Sequence, residues 1–361
     1  MQAAVKAGEG KVILKTVEVP KPGPGQVLVQ VFAAAQNPSD WMKLKRDWTA
    51  DTVIAGHDFA GVIQQLGPDV STQSRQVGQR VAGFINACVS PEDGGTFAEY
   101  CVADAMMLVD LPASMNLNRL ERQRIFVRAQ SHNDGSETTE VSCAPGARVN
   151  SNTTSTIGLA AFTACQVLWQ NQKLPTPLDI TKDPFPEITS QILVWGGASA
   201  VGQYVIQLAK LSGLKFGADA IFDYRDPHVV SEIKAFCGAT ELNVAIDSSV
   251  IQCIEDRESS YIALVLPVEV KAKYIKSDFT YVYSLLGKPI QGKYPYPAIR
   301  EHYELGKWSA DMLSQLAKKG ILRTVPTRIV PNGLADAQYW IDYQEEGKVR
   351  AEKIMYRIKS S

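Results

Sequence analysis

The 361-residue chain contains no apolar run near the roughly 18 residues that a membrane-spanning helix requires. Its opening stretch, Met1–Lys11, lacks the apolar core of a secretion signal, so a cytoplasmic protein without membrane contact is expected. Neither sign of charge is in excess. Lys and Arg total 37 against 38 Asp and Glu, and a net charge of -1 provides no basic field for nucleic acid or anionic lipid. The 6 cysteines, Cys88, Cys101, Cys143, Cys165, Cys237 and Cys253, include no C-x-x-C pair and none has a histidine nearby. A zinc knuckle and a Cys–His nucleophile are thereby excluded, and free thiols acting as small apolar packing residues are expected. No internal repeat is present. What remains is an ordinary globular composition, 45% hydrophobic and 21% charged, long enough for two domains with separate cores.

The informative stretch is Gln191–Lys210, QILVWGGASAVGQYVIQLAK. Ile192–Trp195 is a short unbroken apolar run, the pattern of a parallel strand buried on both faces. Gly196, Gly197 and Gly202 follow, and Val201, Val205, Leu208 and Ala209 recur at the spacing of a helix with one buried face. Strand, glycine turn and helix in this order place backbone N–H groups and a positive helix end where a pyrophosphate can sit. Ser199 stands where the middle glycine of G-x-G-x-x-G is expected, within Gly197-Ala198-Ser199-Ala200-Val201-Gly202. A merely tight strand-to-helix connection is the plain alternative. The flanking strand and helix patterns favour a dinucleotide.

From Ala3 to about Val109 the chain reads as many short strands with frequent turns, a compact barrel-like β domain. Val27–Val31, Gly61–Ile63, Arg80–Ala82 and Tyr100–Val102 are its strand candidates. From Ile192 onward strands and helices alternate, with Val244–Asp247 and Ile262–Leu266 as later parallel strands. Ala310–Lys319 and Ala335–Glu346 are amphipathic helices, and Lys353–Ile358 closes the chain as a strand. Asn116–Asn152 is polar and has neither period, which is unusual for so long a stretch inside a domain. Asn171–Gln191 is loop-like and carries Pro175, Pro177, Pro184 and Pro186.

These landmarks resemble, in order, the medium-chain dehydrogenase/reductase superfamily. The matching pieces are NPSDW at Asn37–Trp41, AGHDFAG at Ala55–Gly61, VGQRVAG at Val77–Gly83 and GTFAEY at Gly95–Tyr100. FTACQVLW at Phe162–Trp169, GGASAVGQ at Gly196–Gln203, GADAIFDYRDP at Gly217–Pro227 and KVRAEKIMYRI at Lys348–Ile358 continue the series. The chain looks closest to the zinc-free, quinone-reductase-like branch, including fungal trans-acting enoyl reductases that serve polyketide synthases. The resemblance implies an α/β protein: a GroES-like β-rich catalytic domain over 1–165 and 290–361, and a Rossmann doubly wound parallel sheet over 166–289. It implies NADPH as cofactor, cleft binding between the domains, and a small-molecule or carrier-tethered unsaturated substrate.

The resemblance also distributes the site. Pro38, Ser39 and Asp40 would approach the nicotinamide, with Thr163 and Cys165 lining the cleft at a helix start. Leu264, Val265 and Leu266 would lie beneath the ring. Ser284, Leu285, Leu286 and Gly287 would close the substrate pocket, and Lys353 would reach the cofactor from the last strand. No proton donor is identified. His57-Asp58 looks like the histidine–acid pair of zinc-containing relatives, but Asn37 and Leu159 occupy places where those relatives carry cysteine. The four-cysteine lobe is missing as well. One histidine does not make a zinc site, so no metal is expected and His57 is read as a structural or cleft residue.

The chain departs from the pattern at Lys215, which runs directly into Phe216-Gly217-Ala218-Asp219. By spacing, Ala220–Phe222 is the second Rossmann strand and Asp223, about 20 residues past the glycine turn, a ribose-binding acid. By resemblance, a strand and helix that select the 2′-phosphate are missing, Ala220–Phe222 is the third strand, and Tyr224 flanks the adenine. The length of the match around FDYRDP favours the second. An extra stretch at Asn116–Asn152 beside a missing one after Lys215 is the pattern of untranslated sequence retained and coding sequence lost. A transcript encoding both anomalies intact would count against it.

Overall fold

The computed structural model describes residues 1–8, 10–46, 48–89, 94–112, 151–174, 176, 191–212, 220–238, 242, 244–246, 252–254 and 256–358. Nearly all of Asn116–Asn152, and Lys215–Asp219, lie outside them. In chain order the first half runs β1 Gln2–Lys6, β2 Val12–Thr16, β3 Gln26–Ala35, α1 Pro38–Lys45, β4 Asp58–Leu66, β5 Arg80–Phe84, β6 Tyr100–Asp104, β7 Val109–Asp110 and α2 Gly158–Cys165. The second runs β8 Ile192–Val194, α3 Ala200–Ala209, α4 Val229–Cys237, β9 Val244–Ile246, β10 Tyr261–Leu264, β11 Lys276–Phe279, α5 Arg300–Lys318, β12 Thr327–Val330, α6 Ala337–Glu345 and β13 Lys353–Arg357. No helix among the described residues is long and apolar enough to cross a membrane.

The elements form two compact units: the described residues of 1–121, 148–162 and 282–361, and those of 163–281. These seams stand three and eight residues before the expected ones, at 162 rather than 165 and at 281 rather than 289.

The first unit is built on a seven-stranded sheet, β12-β13-β3-β4-β5-β7, with β6 added on β3. The four β candidates of its first hundred residues fall within β3, β4, β5 and β6. Strand β3 is the hub: its first half pairs with β6, its last residues pair with β13, and β4 runs along it with register shifts at Leu28/Val29 and Val31/Ala33. Such bulges bend a strand so that it can serve different neighbours. Gly61 sits opposite this bend, where a Cβ would lie 2.1 Å from the Gln30 carbonyl oxygen. Val27, Val29, Val31, Phe59, Ile63, Val81, Phe97 and Tyr356 fill the core beneath. Helix α5 starts ten residues before the expected Ala310, because its first turns, REHYELGKW, are mostly polar and show no apolar period.

In the second unit four strands pair in parallel in the order β11-β10-β9-β8. Their registers align Ile192, Val244, Tyr261 and Lys276, so the carboxyl ends of β8 to β11 share one edge. Two expectations are corrected here. Ile192–Val194 are half-buried instead of buried on both faces, because β8 is an edge strand among the described residues. Ala220–Phe222 forms no strand in either of the two registers considered for it, so no second or third Rossmann strand stands beyond β8 among the described residues. Among the described residues the parallel sheet has these four strands.

Candidate functional site

In the second unit, the site is the turn that follows β8. Gly196 takes φ +69, and a Cβ on Gly202 would lie 2.4 Å from the Gly196 carbonyl oxygen and 2.7 Å from Gly197 Cα. Only glycine lets α3 press this closely on the turn. Ser199, in place of the motif's middle glycine, caps the helix: its backbone is extended and its Oγ accepts the Gly202 N–H at 3.1 Å. The N–H groups of Ala200 and Val201 remain at the positive end of a ten-residue helix, with Gly196, Ala198 and Ser199 exposed around them. This donor set fits an anionic pyrophosphate.

Leu264 and Val265, at the end of β10, lie on the same sheet edge; Leu264 is buried and Val265 half-buried. The exposed Tyr224 ring stands 6.3 Å from that of Trp195, next to the glycine turn. Arg225 binds Asp223 through Nε at 2.9 Å and Nη2 at 2.7 Å, which holds the Asp223 carboxyl down at about 2. The acid that spacing offered for a ribose is therefore engaged by the arginine two positions on. Thr163 and Cys165 are buried in the middle and at the end of α2, not at its start. The helix begins at Gly158, where a Cβ would meet Asp58 Oδ1 at 2.5 Å and where the Leu159 N–H donates to that oxygen.

The first unit holds a buried polar network that the sequence reading mostly missed. Asn37 caps α1 in a capping box with Asp40: the Asn37 N–H donates to Asp40 Oδ2 at 2.6 Å, and Pro38 opens the first turn. The other oxygen of Asp40 accepts from His57 Nδ1 at 2.5 Å. That sets the tautomer, leaving Nε2 to accept from the Lys43 ammonium at 3.1 Å. Lys43 also donates to Asn86 Oδ1 and the Ala87 carbonyl, each at 2.8 Å, and lies 4.4 Å from the centre of the Tyr283 ring. Beside this chain, Lys353 donates to Asp58 Oδ2 at 2.5 Å and to Asn37 Oδ1 at 2.9 Å. Asp40 and Lys353, both expected at the cofactor, thus lie inside the unit and hold the Asn37–Ser39 turn in place. Of that turn, Pro38 is exposed, Ser39 is half-buried, and Ser39 Oγ is buried with no hydrogen-bond partner among the described residues. Of the expected pocket segment, Ser284 and Leu285 are buried, Leu286 and Gly287 half-buried; Ser284 Oγ contacts His302 Nδ1 at 2.8 Å. Lys43 could have been found through the Asn37, Asp40, Lys43 spacing of three, which places these residues near one face of a helix; Asn86, 43 positions away, carries no such signal.

The residues around His57 do not fit a zinc site. Both nitrogens of His57 are taken, one by a carboxylate and one by an ammonium, and Asn37 replaces a thiolate. The described residues hold no group of three or more His, Cys, Asp or Glu placed for metal binding. Burial lowers the His57 pKa, with Lys43 acting in the same direction and Asp40 opposing. Burial pushes Asp58 up, opposed by Lys353, the Leu159 N–H and Asn37. Because folded His57 resists protonation, the unfolded chain takes up the proton first as pH falls below about 6.5. Stability is therefore expected to drop on acidification from about pH 7.5 to 5.5, by at most about 1.4 kcal/mol per pH unit for one such histidine. His302, also lowered by burial, contributes in the same direction. Asp58 acts oppositely, losing stability as pH rises above the carboxylate range. Denaturant titrations of the wild type and His57→Asn should show a shallower pH slope in the variant; equal slopes would contradict a neutral buried His57.

A family model described as alcohol dehydrogenase GroES-like domain matches residues 23–113, which hold β3 to β7 and the network around His57. A trans-enoyl reductase of Gibberella fujikuroi is 28% identical over 389 residues, covering 99% of this chain and 98% of that protein. In both comparisons the chain resembles the medium-chain dehydrogenase/reductases. A trans-enoyl reductase of Botryotinia fuckeliana is 29% identical, with 99% of both proteins covered, and an uncharacterized protein of Saccharomyces cerevisiae is 28% identical over 98% of this chain and 96% of its own length. Among solved structures, the CurK enoyl reductase shares the fold with a TM-score of 0.69 at 15% identity, covering 99% of each chain. A mycobacterial protein solved in complex with NADPH does so with 0.66 at 18% identity, covering 98% of this chain and 99% of that one. These likenesses show the fold: a GroES-like domain and a Rossmann-like parallel sheet.

Proposed function

We propose that the chain is an NADPH-dependent, zinc-free oxidoreductase that reduces the C=C bond of an α,β-unsaturated thioester in fungal polyketide biosynthesis, the substrate being carried by a polyketide synthase. The observation that carries this reading is the glycine turn at the carboxyl edge of a parallel sheet, in a chain with full-length relatives named trans-enoyl reductase. Bound NADPH would supply the hydride. Gly197–Gly202 would hold its pyrophosphate, Tyr224 beside Trp195 would flank the adenine, and Leu264 and Val265 would give an apolar floor. Pro38 and Ser39 are proposed at the nicotinamide, and Ser284–Gly287 at the substrate. Asp40 and Lys353 act behind them by fixing the Asn37–Ser39 turn.

A second reading, a non-catalytic binding protein with a degenerate cofactor site, rests on the edge position of β8. Titration of NADPH fluorescence, followed by NADPH consumption against enoyl thioesters, enones and quinones, separates the readings. Consumption with thioesters supports the proposal. Turnover of quinones alone makes it a quinone-type reductase, and silence at millimolar cofactor leaves the binding protein.

Two outcomes follow from the geometry. The purified protein should carry no stoichiometric zinc, and chelators should leave activity intact; one tightly held zinc per chain by elemental analysis would overturn this. Selection of NADPH over NADH should be weak, within about tenfold, because Arg225 is already bonded to Asp223 and one exposed contact contributes only about 1 kcal/mol. A hundredfold preference in parallel cofactor titrations would show that the 2′-phosphate has donors not recognised here.

A further inference from the structure

The carboxyl end of α1 carries a feature that the proposed reduction does not use. Arg46, the residue that ends the helix, is exposed, and its guanidinium stacks on Trp41 at 5.1 Å and on Trp48 at 5.6 Å from the ring centres. Among the described residues its guanidinium has no hydrogen bond or ion pair, while the neighbouring acids Asp342 and Glu345 are both taken by Lys45. Two indole faces hold the planar group in place and leave its N–H edge open, the arrangement in which arginine recognises phosphate in two-pronged fashion. Tyr294 meets Trp48 edge-on at 5.6 Å and so brings the exposed Lys293 beside this end of α1.

Helix α1 begins at Pro38, in the turn proposed for the nicotinamide, and spans eight residues, roughly 12 Å at the helical rise. An extended pantetheine chain is of the same order of length. We propose that Arg46, clamped between Trp41 and Trp48, binds the phosphate of a phosphopantetheine thioester and so anchors the substrate arm along α1. This rests on the enoyl thioester reading and adds a binding site to it. Coenzyme A and an acyl carrier protein share this phosphate.

Crotonyl-phosphopantetheine and crotonyl-pantetheine differ only in the phosphate, and kcat/KM for the pair reads the site directly. The wild type should prefer the phosphorylated compound by about tenfold, the worth of one charge-assisted contact. Arg46→Met, which keeps the packing on the indoles, should abolish that preference and leave the pantetheine rate unchanged. Arg46→Lys should restore part of it. Crotonyl-coenzyme A and a crotonyl-loaded acidic carrier protein, compared in the same way, tell which source of the phosphate is used. No preference in the wild type, or the same preference in Arg46→Met, overturns the proposal. If no thioester is turned over at all, the enoyl reductase reading fails on its own. Quenching of tryptophan fluorescence by phosphopantetheine, present in the wild type and lost in Arg46→Met, then still decides the anion site, and its absence overturns it.

Discussion

Replacing Lys353 by Met is expected to cost the first unit about 3–5 kcal/mol, because it strands the Asp58 carboxylate in the core with its counter-ion gone. Lys353 is 4% and Asp58 0% exposed, so water cannot screen or replace the lost ammonium. Asn37 Oδ1 loses its donor in the same step, loosening the capping box of α1. For a unit of this size the loss corresponds to a melting transition lower by roughly 10 °C. The double variant Asp58→Asn, Lys353→Met removes both charges and should recover much of the loss, since the penalty comes from the orphaned partner. A thermal melt of Lys353→Met within about 1 kcal/mol of wild type would show that the pair is not a buried one.

Gly202→Val is expected to abolish dinucleotide binding while the first unit stays folded. A Cβ there meets the Gly196 carbonyl oxygen at 2.4 Å and Gly197 Cα at 2.7 Å, and both atoms are backbone that no rotamer change can move aside. The turn must open, and with it goes the alignment of the Ala200 and Val201 N–H groups toward the pyrophosphate. Loss of at least a hundredfold in NADPH affinity is anticipated, measured by fluorescence titration. Unchanged affinity in a folded Gly202→Val protein would remove the turn from the cofactor site.

The glycine turn could be read from the sequence because it is local: strand, turn and helix are contiguous, and a missing side chain leaves a mark in the letters. Strands β3, β4, β5 and β6 were legible for the same reason, each carrying its own turn signals, whereas β1, β2, β7 and β12 were not named. The buried network was not. His57 meets Asp40 across 17 positions, and Lys353 meets Asp58 across 295, so no local period announces either bond. Resemblance pointed to Asp40 and Lys353 and gave them to the cofactor; the fold turns both inward because α1, β4 and β13 converge on Asn37. Ala220–Phe222 misled in another way. Its apolar letters suit a strand, but strands are made by neighbours, and beyond β8 none of the described residues supplies one.

The central claim is hydride delivery to an enoyl thioester, and NADPH deuterated at the transferring position of its nicotinamide tests it most directly. The purified protein is incubated with the labelled cofactor and crotonyl-phosphopantetheine, and the product is read by mass spectrometry and NMR. The account predicts a saturated thioester carrying one deuterium at the β-carbon. Cofactor that binds and is never consumed by any thioester, or a saturated product without deuterium, would contradict it.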